Sequence, residues 1–220
     1  MRMVTALFIA IATLLMGGAD HVQAQAQTTP IFPNAAPDPA HALKGNALLA
    51  ALRKGGYVLY FRHTATDFSQ NDAKMKSVDD CANQRALSDE GRKQAKAIGA
   101  AIRTLALPIE DVQASPYCRT METARLIFGK ATGNNAVRGD GGNYNALGTL
   151  LRQPVPHNAN RAIVGHGNGM RALAGGPHLD EGEAAVILPS KDEPVIIARI
   201  RFDEWGKPGK VLGVHQETPH

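Results

Sequence analysis

The stretch YVLYFRHTATD, residues 57–67, joins an apolar and aromatic run directly to two cationic side chains. The segment 57–61 has the composition of a buried strand, and Arg62 and His63 follow it without a break. Burying such groups unpaired costs several kcal/mol. The rest of the chain therefore has to supply something for them to bind.

On either side of this stretch, helical and strand patterns alternate along most of the chain. This alternation predicts an α/β fold, a three-layer sandwich with a mostly parallel central sheet, helices on both faces and antiparallel strands at the end. Strands are predicted at 57–61, 110–114, 136–137, 162–164, 184–188 and 195–202. Helices are predicted at 39–54, between Ser88 and Pro108, at 117–128 and 143–151, and through Met170 and Leu173.

The composition suits one globular domain, placed at residues 39–220. The chain has 220 residues, of which 44% are hydrophobic and 20% are charged. Its net charge of +4 is modest, and no basic stripe with interleaved aromatic residues is present. Nucleic acid is therefore not an expected partner. Nothing in the composition predicts an oligomeric state.

Cationic residues follow three of the predicted parallel strands, where ligands of such sheets bind. Arg62 and His63 end the first strand, and His166 follows a later one. After the second strand, Ser115-Pro116 is interpreted as the N-cap and first residue of a helix with Arg119 in its first turn. These residues, together with the partial positive charge of that helix N-terminus, predict an anion pocket.

Three segments, FRHTATD, ASPYCRTMETA and VGHGNGM, resemble the histidine phosphatase superfamily, branch 1, with its phosphoglycerate-mutase-like fold. The resemblance implies that His63 is a nucleophile that forms a phosphohistidine. Arg62, Arg119 and His166 would hold the phosphoryl oxygens, as forked guanidinium donors do well. It implies a small phosphorylated substrate and neither metal nor cofactor, because these cations would neutralise the phosphoryl charge.

The general acid is the weakest point of the match. Many relatives place a glutamate after the second arginine motif, whereas AVRGDGGNYNALGTLL contains none. Asp140 is the nearest carboxylate and is the candidate acid. Thr64 and Asn168 are candidate substrate-binding residues, since loops 64–85 and 138–145 are expected to wall the pocket.

Each assignment has a structural alternative. His63 could be a hydrogen-bonded core histidine, and Arg119 could pair with Glu122 one turn along its helix. His166 and Asn168 could simply shape a turn.

The N-terminus is predicted to direct export. Arg2 precedes an apolar run, residues 4–16, that is shorter than the roughly 20 residues needed to span a bilayer. Residues 1–24 are therefore expected to be a cleaved signal peptide and 25–38 a flexible leader. The mature protein would be periplasmic or secreted without stable membrane insertion, and an uncleaved anchor is the alternative.

The chain has two cysteines, Cys81 and Cys118. In an oxidising compartment they could form a disulfide, and two separate buried thiols are the alternative. The pair lacks the short spacing of a metal site.

Together these features predict an exported, metal-independent phosphomonoesterase that acts on small phosphorylated compounds. The alternatives are a phosphate-ligand binding protein without turnover and a phosphoramidase or phosphohistidine phosphatase.

Overall fold

A computed structural model describes residues 27–206, which build one six-stranded sheet with helices on both faces. The strands are β1 (Val58–Arg62), β2 (Ile109–Ala114), β3 (Thr132–Gly133), β4 (Asn160–Gly165), β5 (Ala184–Leu188) and β6 (Val195–Ile200). The α-helices are α1 (Gly45–Lys54), α2 (Asp89–Thr104), α3 (Cys118–Phe128), α4 (Asn135–Arg138), α5 (Asn145–Arg152) and α6 (Gly167–Ala174).

The strand order is β3-β2-β4-β1-β5-β6. Strand β4 lies between β2 and β1 and is parallel to both, and β3 is parallel to β2. Strands β5 and β6 add antiparallel pairings at the other edge. The predicted mostly parallel sheet with antiparallel strands at the end is confirmed.

Side chains of β1 alternate between two cores, because successive residues of a strand point to opposite faces. Leu59 and Phe61 pack into the core beneath α1, α2 and α3. Val58 and Tyr60 pack into the core beneath α5 and α6. A buried strand between two helical layers is the three-layer sandwich expected from the sequence.

Three element predictions were wrong in detail. Residues 136–137, predicted as a strand, lie in α4, where the Asn134 side chain caps the helix and Val137 turns into the core. The first helix begins at Gly45 rather than at 39, because the chain before it runs along β6, with the N–H of Leu43 donating to the carbonyl of Ile197. Helix α3 begins at Cys118, and Ser115 lies buried before it.

The described part of the predicted leader, residues 27–38, packs against the domain. Phe32 is only 5% exposed and joins the core beneath α5 and α6. The N–H groups of Ile31 and Phe32 both donate to the carbonyl of Leu173, and that of Ala35 donates to Gly176. This differs from the flexible segment predicted from its polar composition, because its few apolar side chains find a groove between helix and sheet.

The predicted signal peptide, residues 1–24, lies outside the described residues. From residue 27 to residue 206, no helix has the length and hydrophobicity to cross a membrane.

Candidate active site

The carboxyl ends of β1, β4 and β2 lie side by side. The register pairs Arg62 with Gly165 and Ala114 with Val164. One residue further on, the N–H of His63 donates to the carbonyl of Gly165 at 3.1 Å, and that of Ser115 to Val164 at 3.0 Å. The residues after the three strands therefore meet at one sheet edge, as the sequence predicted.

A polar cavity of about 410 Å³ opens at this edge. It contains all four residues that the sequence predicted to bind the phosphoryl group, Arg62, His63, Arg119 and His166, which together form the phosphoryl cage. Its lining consists of Arg62, His63, Asp72, Arg85, Tyr117, Arg119, Arg138, Tyr144, His166, Gly167, Asn168, Arg171 and His178.

The imidazole of His63 has a defined tautomer. Its side chain is buried, and Nδ1 lies 3.0 Å from the carbonyl oxygen of Thr64. A carbonyl only accepts hydrogen bonds, so Nδ1 carries the proton and Nε2 keeps its lone pair. Burial, reinforced by Arg119 and Arg62, lowers the pKa of His63 to about 3. His63 is thus a neutral imidazole at ordinary pH, which is the nucleophilic form.

His166 faces His63 across the cavity, with ring centroids 5.6 Å apart. Its Nε2 lies 2.9 Å from the Ser115 hydroxyl, and its ring meets the edge of Tyr117 at 5.1 Å. Burial, then Arg119 and His63, lower its pKa well below the ordinary value. Ser115 was interpreted from sequence as a helix cap, but it orients this second histidine.

Arg119 enters the cavity from the first turn of α3 and is 6% exposed. Its Nη1 donates to Asp72 Oδ1 at 3.1 Å, and its guanidinium stacks on Tyr117 at 4.7 Å. The alternative pairing with Glu122 is wrong, because Glu122 accepts from Arg92 at 2.7 Å. Within residues 27–206 the buried Nε of Arg119 has no hydrogen-bond partner, so it retains a donor for a ligand.

Arg62 is held by the loop between α6 and β5, residues 175–183. Its Nη1 donates to the carbonyl of Leu179 at 2.8 Å, and its Nη2 lies 3.5 Å from Glu181 Oε1. The same carboxylate accepts from the hydroxyl and the N–H of Thr66 and lies 3.9 Å from His63 Nδ1. Glu181 therefore ties Arg62 to the segment that follows His63.

A buried ion pair braces this loop against β6. Arg199 binds Glu183 through two hydrogen bonds of 2.7 and 2.6 Å, and it also donates to the carbonyls of Pro177 and His178. Such a bidentate, fully hydrogen-bonded pair fixes geometry well. It holds the loop that positions Arg62.

The predicted Cys81–Cys118 disulfide is present in the structure, with Cα atoms 5.7 Å apart. It joins the loop 64–85 to the first residue of α3. The Gln84 side chain strengthens this junction by accepting from the N–H of Cys118 at 3.0 Å. The disulfide thereby brings Asp72 and Arg85 over the start of α3, where Arg119 lies.

Two predicted site residues lie elsewhere. Asp140 is exposed and outside the cavity lining, because it closes a tight turn in which its N–H and carbonyl bond to those of Asn143. Thr64 is buried below the cavity, with its hydroxyl 3.3 Å from that of Thr123. Asn168 does line the cavity, and its Oδ1 accepts from Arg171 at 2.9 Å.

Sequence reasoning missed Asp72, Arg85, Glu181 and the two tyrosines of the cavity. Tyr117 lies in the second motif, ASPYCRTMETA, whereas the other four lie outside the motifs, in the connections between helices and strands. Asp72 lay inside a loop expected to wall the pocket, which was the only signal for it. Among residues 27–206, no group of three or more His, Cys, Asp or Glu side chains is arranged to hold a metal ion.

The family model of the histidine phosphatase superfamily (branch 1) matches residues 58–138, which include Arg62, His63 and Arg119. Over these residues, about a third of the chain, the sequence is similar to that superfamily. The match ends before His166, which lies in the same cavity opposite His63.

No curated protein matches the chain. Several solved structures are similar to it at low identity. A protein histidine phosphatase SixA complexed with tungstate has a TM-score of 0.47 and 19% identity, over 67% of this chain and 97% of that one.

A mutant phosphoserine phosphatase from Entamoeba histolytica, in complex with phosphoserine, has a TM-score of 0.47 and 13% identity. The match covers 65% of this chain and 95% of that one. YhfR from Bacillus stearothermophilus has a TM-score of 0.44 and 13% identity, and the match covers 64% of this chain and 94% of that one. At this level of similarity, these structures do not indicate what this chain binds.

Proposed function

We propose that this protein is an exported phosphomonoesterase that hydrolyses small phosphorylated compounds through a phosphohistidine on His63. The observation that carries the proposal is the fixed, neutral imidazole of His63, whose Nε2 is available beside Arg62 and Arg119. Phosphoryl transfer needs little more than a positioned nucleophile and fixed positive charge around the equatorial oxygens.

In the first step, Nε2 of His63 attacks phosphorus, the N–P bond forms and the bond to the leaving oxygen breaks. The Thr64 carbonyl stabilises the imidazole that becomes positively charged, because it accepts the Nδ1 proton. In the second step, water attacks phosphorus, the N–P bond breaks, and phosphate and a proton are released. His63 returns to its neutral form.

The leaving oxygen needs a proton in the first step, and the cavity offers few donors. From residue 27 to residue 206, Asp72 alone contributes a carboxyl group to the lining, and its Oδ1 accepts from Arg119 and from the N–H of Arg85. We therefore place Asp72, rather than Asp140, closest to the role of general acid.

This scarcity of acids favours a second candidate activity, the hydrolysis of phosphoramidates such as phosphohistidine. Their leaving groups depart more easily and need less help from an acid. The two activities share the nucleophile and the cage, so their relative rates distinguish them.

Export is proposed from the apolar N-terminal run, and the Cys81–Cys118 disulfide supports it, since such bonds persist mainly in oxidising compartments. Fractionation of the expressing cell, with sequencing of the mature N-terminus, tests this. A cytosolic protein that keeps residues 1–24 would contradict it.

The activity is tested by phosphate release from an aryl phosphate, a sugar phosphate and a phosphoramidate, with a chelator present. We expect turnover that resists the chelator and that falls at least about 10³-fold in His63→Ala, as loss of a covalent nucleophile generally does. Asp72→Asn should slow the sugar phosphate more than the phosphoramidate. Binding of phosphate without any turnover would instead support a binding protein.

A further inference from the structure

The cavity carries more positive charge than one phosphoryl group requires. Among residues 27–206, five arginines line it, against the single carboxylate of Asp72. Arg62 and Arg119 lie at its base beside His63, and Arg85 stacks on Phe68 at 4.9 Å as part of the wall. Arg138 and Arg171 are different, because both are exposed.

These two arginines have no carboxylate partner within 4.0 Å among residues 27–206. Arg62 and Arg119, by contrast, form ion pairs with Glu181 and Asp72. Arg138 ends α4 and Arg171 lies in the last turn of α6. A favourable helix-dipole interaction could account for a cation at either place. It does not explain why both line the same cavity.

The ring of Tyr144 lies between the backbones that carry Arg138 and Arg171. A Cβ added to Gly139 would lie 2.6 Å from this ring, and one added to Gly169 would lie 3.4 Å from it. Tyr144 is buried, and burial raises the pKa of its hydroxyl. The Tyr144 ring therefore packs against the backbone next to both arginines, and Asn168 fixes the Arg171 guanidinium by accepting a hydrogen bond from it.

We propose that Arg138 and Arg171 form a second anion subsite, and that the preferred substrate carries a second phosphate or a carboxylate besides the phosphoryl group transferred to His63. This inference rests on the proposed phosphatase function. A cavity of about 410 Å³ is within the usual range for small ligands. The body of the substrate would then lie along Tyr144 and Asn168.

The test compares pairs of substrates that differ only in the second anion. Glucose 1,6-bisphosphate against glucose 1-phosphate tests a phosphate, and 3-phosphoglycerate against glycerol 3-phosphate tests a carboxylate. We expect at least a tenfold higher kcat/KM for the doubly anionic member of one pair, mainly through KM. The pair that shows it identifies the second anion. The preference should shrink as salt is added, because the subsite is exposed.

Arg138→Gln/Arg171→Gln should lower that preference at least tenfold and change kcat/KM for an aryl phosphate less than threefold. The matched control is Arg103→Gln, an exposed last-turn arginine of α2 outside the cavity, which should leave the preference unchanged. Equal rates for both members of each pair, or a preference that survives in the double variant, would overturn the subsite.

Failure of the subsite and failure of the phosphatase assignment give different results. Aryl phosphate turnover without a preference removes only the subsite, whereas absence of turnover removes the enzyme. In the latter case, calorimetric titration with each member of the two pairs still decides the subsite. Tenfold tighter binding of the doubly anionic member, lost in the double variant, supports it, and equal affinities refute it.

Discussion

His63 shows how a cationic residue can end a buried strand without an unpaired charge. Its proton stays on Nδ1 against the Thr64 carbonyl, and burial keeps the ring neutral. Arg62, the last residue of β1, is partly neutralised by Glu181 and donates a hydrogen bond to the Leu179 carbonyl. The strand thus delivers a neutral nucleophile and a charged donor to the same cavity.

The lowered pKa of His63 predicts a pH-dependent stability. The folded pKa of about 3 lies below the ordinary 6.5, so the unfolded chain binds more protons between these values. The free energy of unfolding is therefore unaffected above about pH 6.5 and falls as the pH drops towards 3. For this one residue, the loss between pH 7 and pH 5 is about 2 kcal/mol.

Urea unfolding of the wild type and of His63→Asn at both pH values measures this contribution. Between pH 7 and pH 5, the unfolding free energy of the variant should fall by about 2 kcal/mol less than that of the wild type. His166, whose pKa shifts in the same direction, stays in both proteins and cancels in the comparison. An identical loss in the two proteins would show that His63 is protonated in the folded state.

Among the larger elements, the loop 64–85 forms part of the cavity wall. It carries Asp72 and Arg85, has little regular structure beyond the 3₁₀ turn Cys81–Asn83, and is joined to α3 by the disulfide. A loop of this length needs such a tether, because ordering each residue costs about 1–2 kcal/mol of backbone entropy.

Replacement of both cysteines by serine should destabilise the fold and loosen this wall. The bond closes a span of 37 residues, for which the chain-entropy relation gives about 4 kcal/mol. We expect KM to rise more than kcat falls, because His63 and the strand ends are untouched. A reductant should lower the stability of the wild type and leave the double variant unchanged. Equal stability of the double variant and the wild type would show that the disulfide does not stabilise this loop.

The sequence predicted what depends on local pattern. The strand ends that carry Arg62, His63 and His166 followed from apolar runs, and parallel strands place such ends at one edge. Asp72 and Glu181 could not be predicted, because they meet their arginines across 47 and 119 positions of chain. The prediction for Asp140 was wrong because of a local feature. Backbone hydrogen bonds with Asn143 close a tight turn there, and the residue types alone do not specify that turn.

For the molecule as a whole, the two cores have different origins in the chain. The core on one side of the sheet is closed by α1, α2 and α3. The other is closed partly by residues before the first helix, including Phe32 and Ala35. The N-terminal segment therefore belongs to the folded unit, and residue 39 is too late a boundary for it.

Phe32→Ala should therefore cost about 3 kcal/mol of unfolding free energy, at the lower end for a buried phenylalanine because the segment can readjust. The control is Phe68→Ala, since Phe68 is 71% exposed, which should cost less than about 1 kcal/mol. Chemical denaturation of both variants gives the comparison. If both variants lost the same small amount of unfolding free energy, residues 27–38 would not contribute to the stability of the fold.

In the proposed mechanism, His63 carries the phosphoryl group during turnover. The most direct measurement is to quench a reaction with an aryl phosphate in alkali, where a phosphohistidine is stable, and to locate the phosphate by peptide mass spectrometry. We expect phosphate on His63 during the first turnovers and no phosphohistidine in His63→Ala. Phosphate on another residue, or undiminished turnover in His63→Ala, would contradict it.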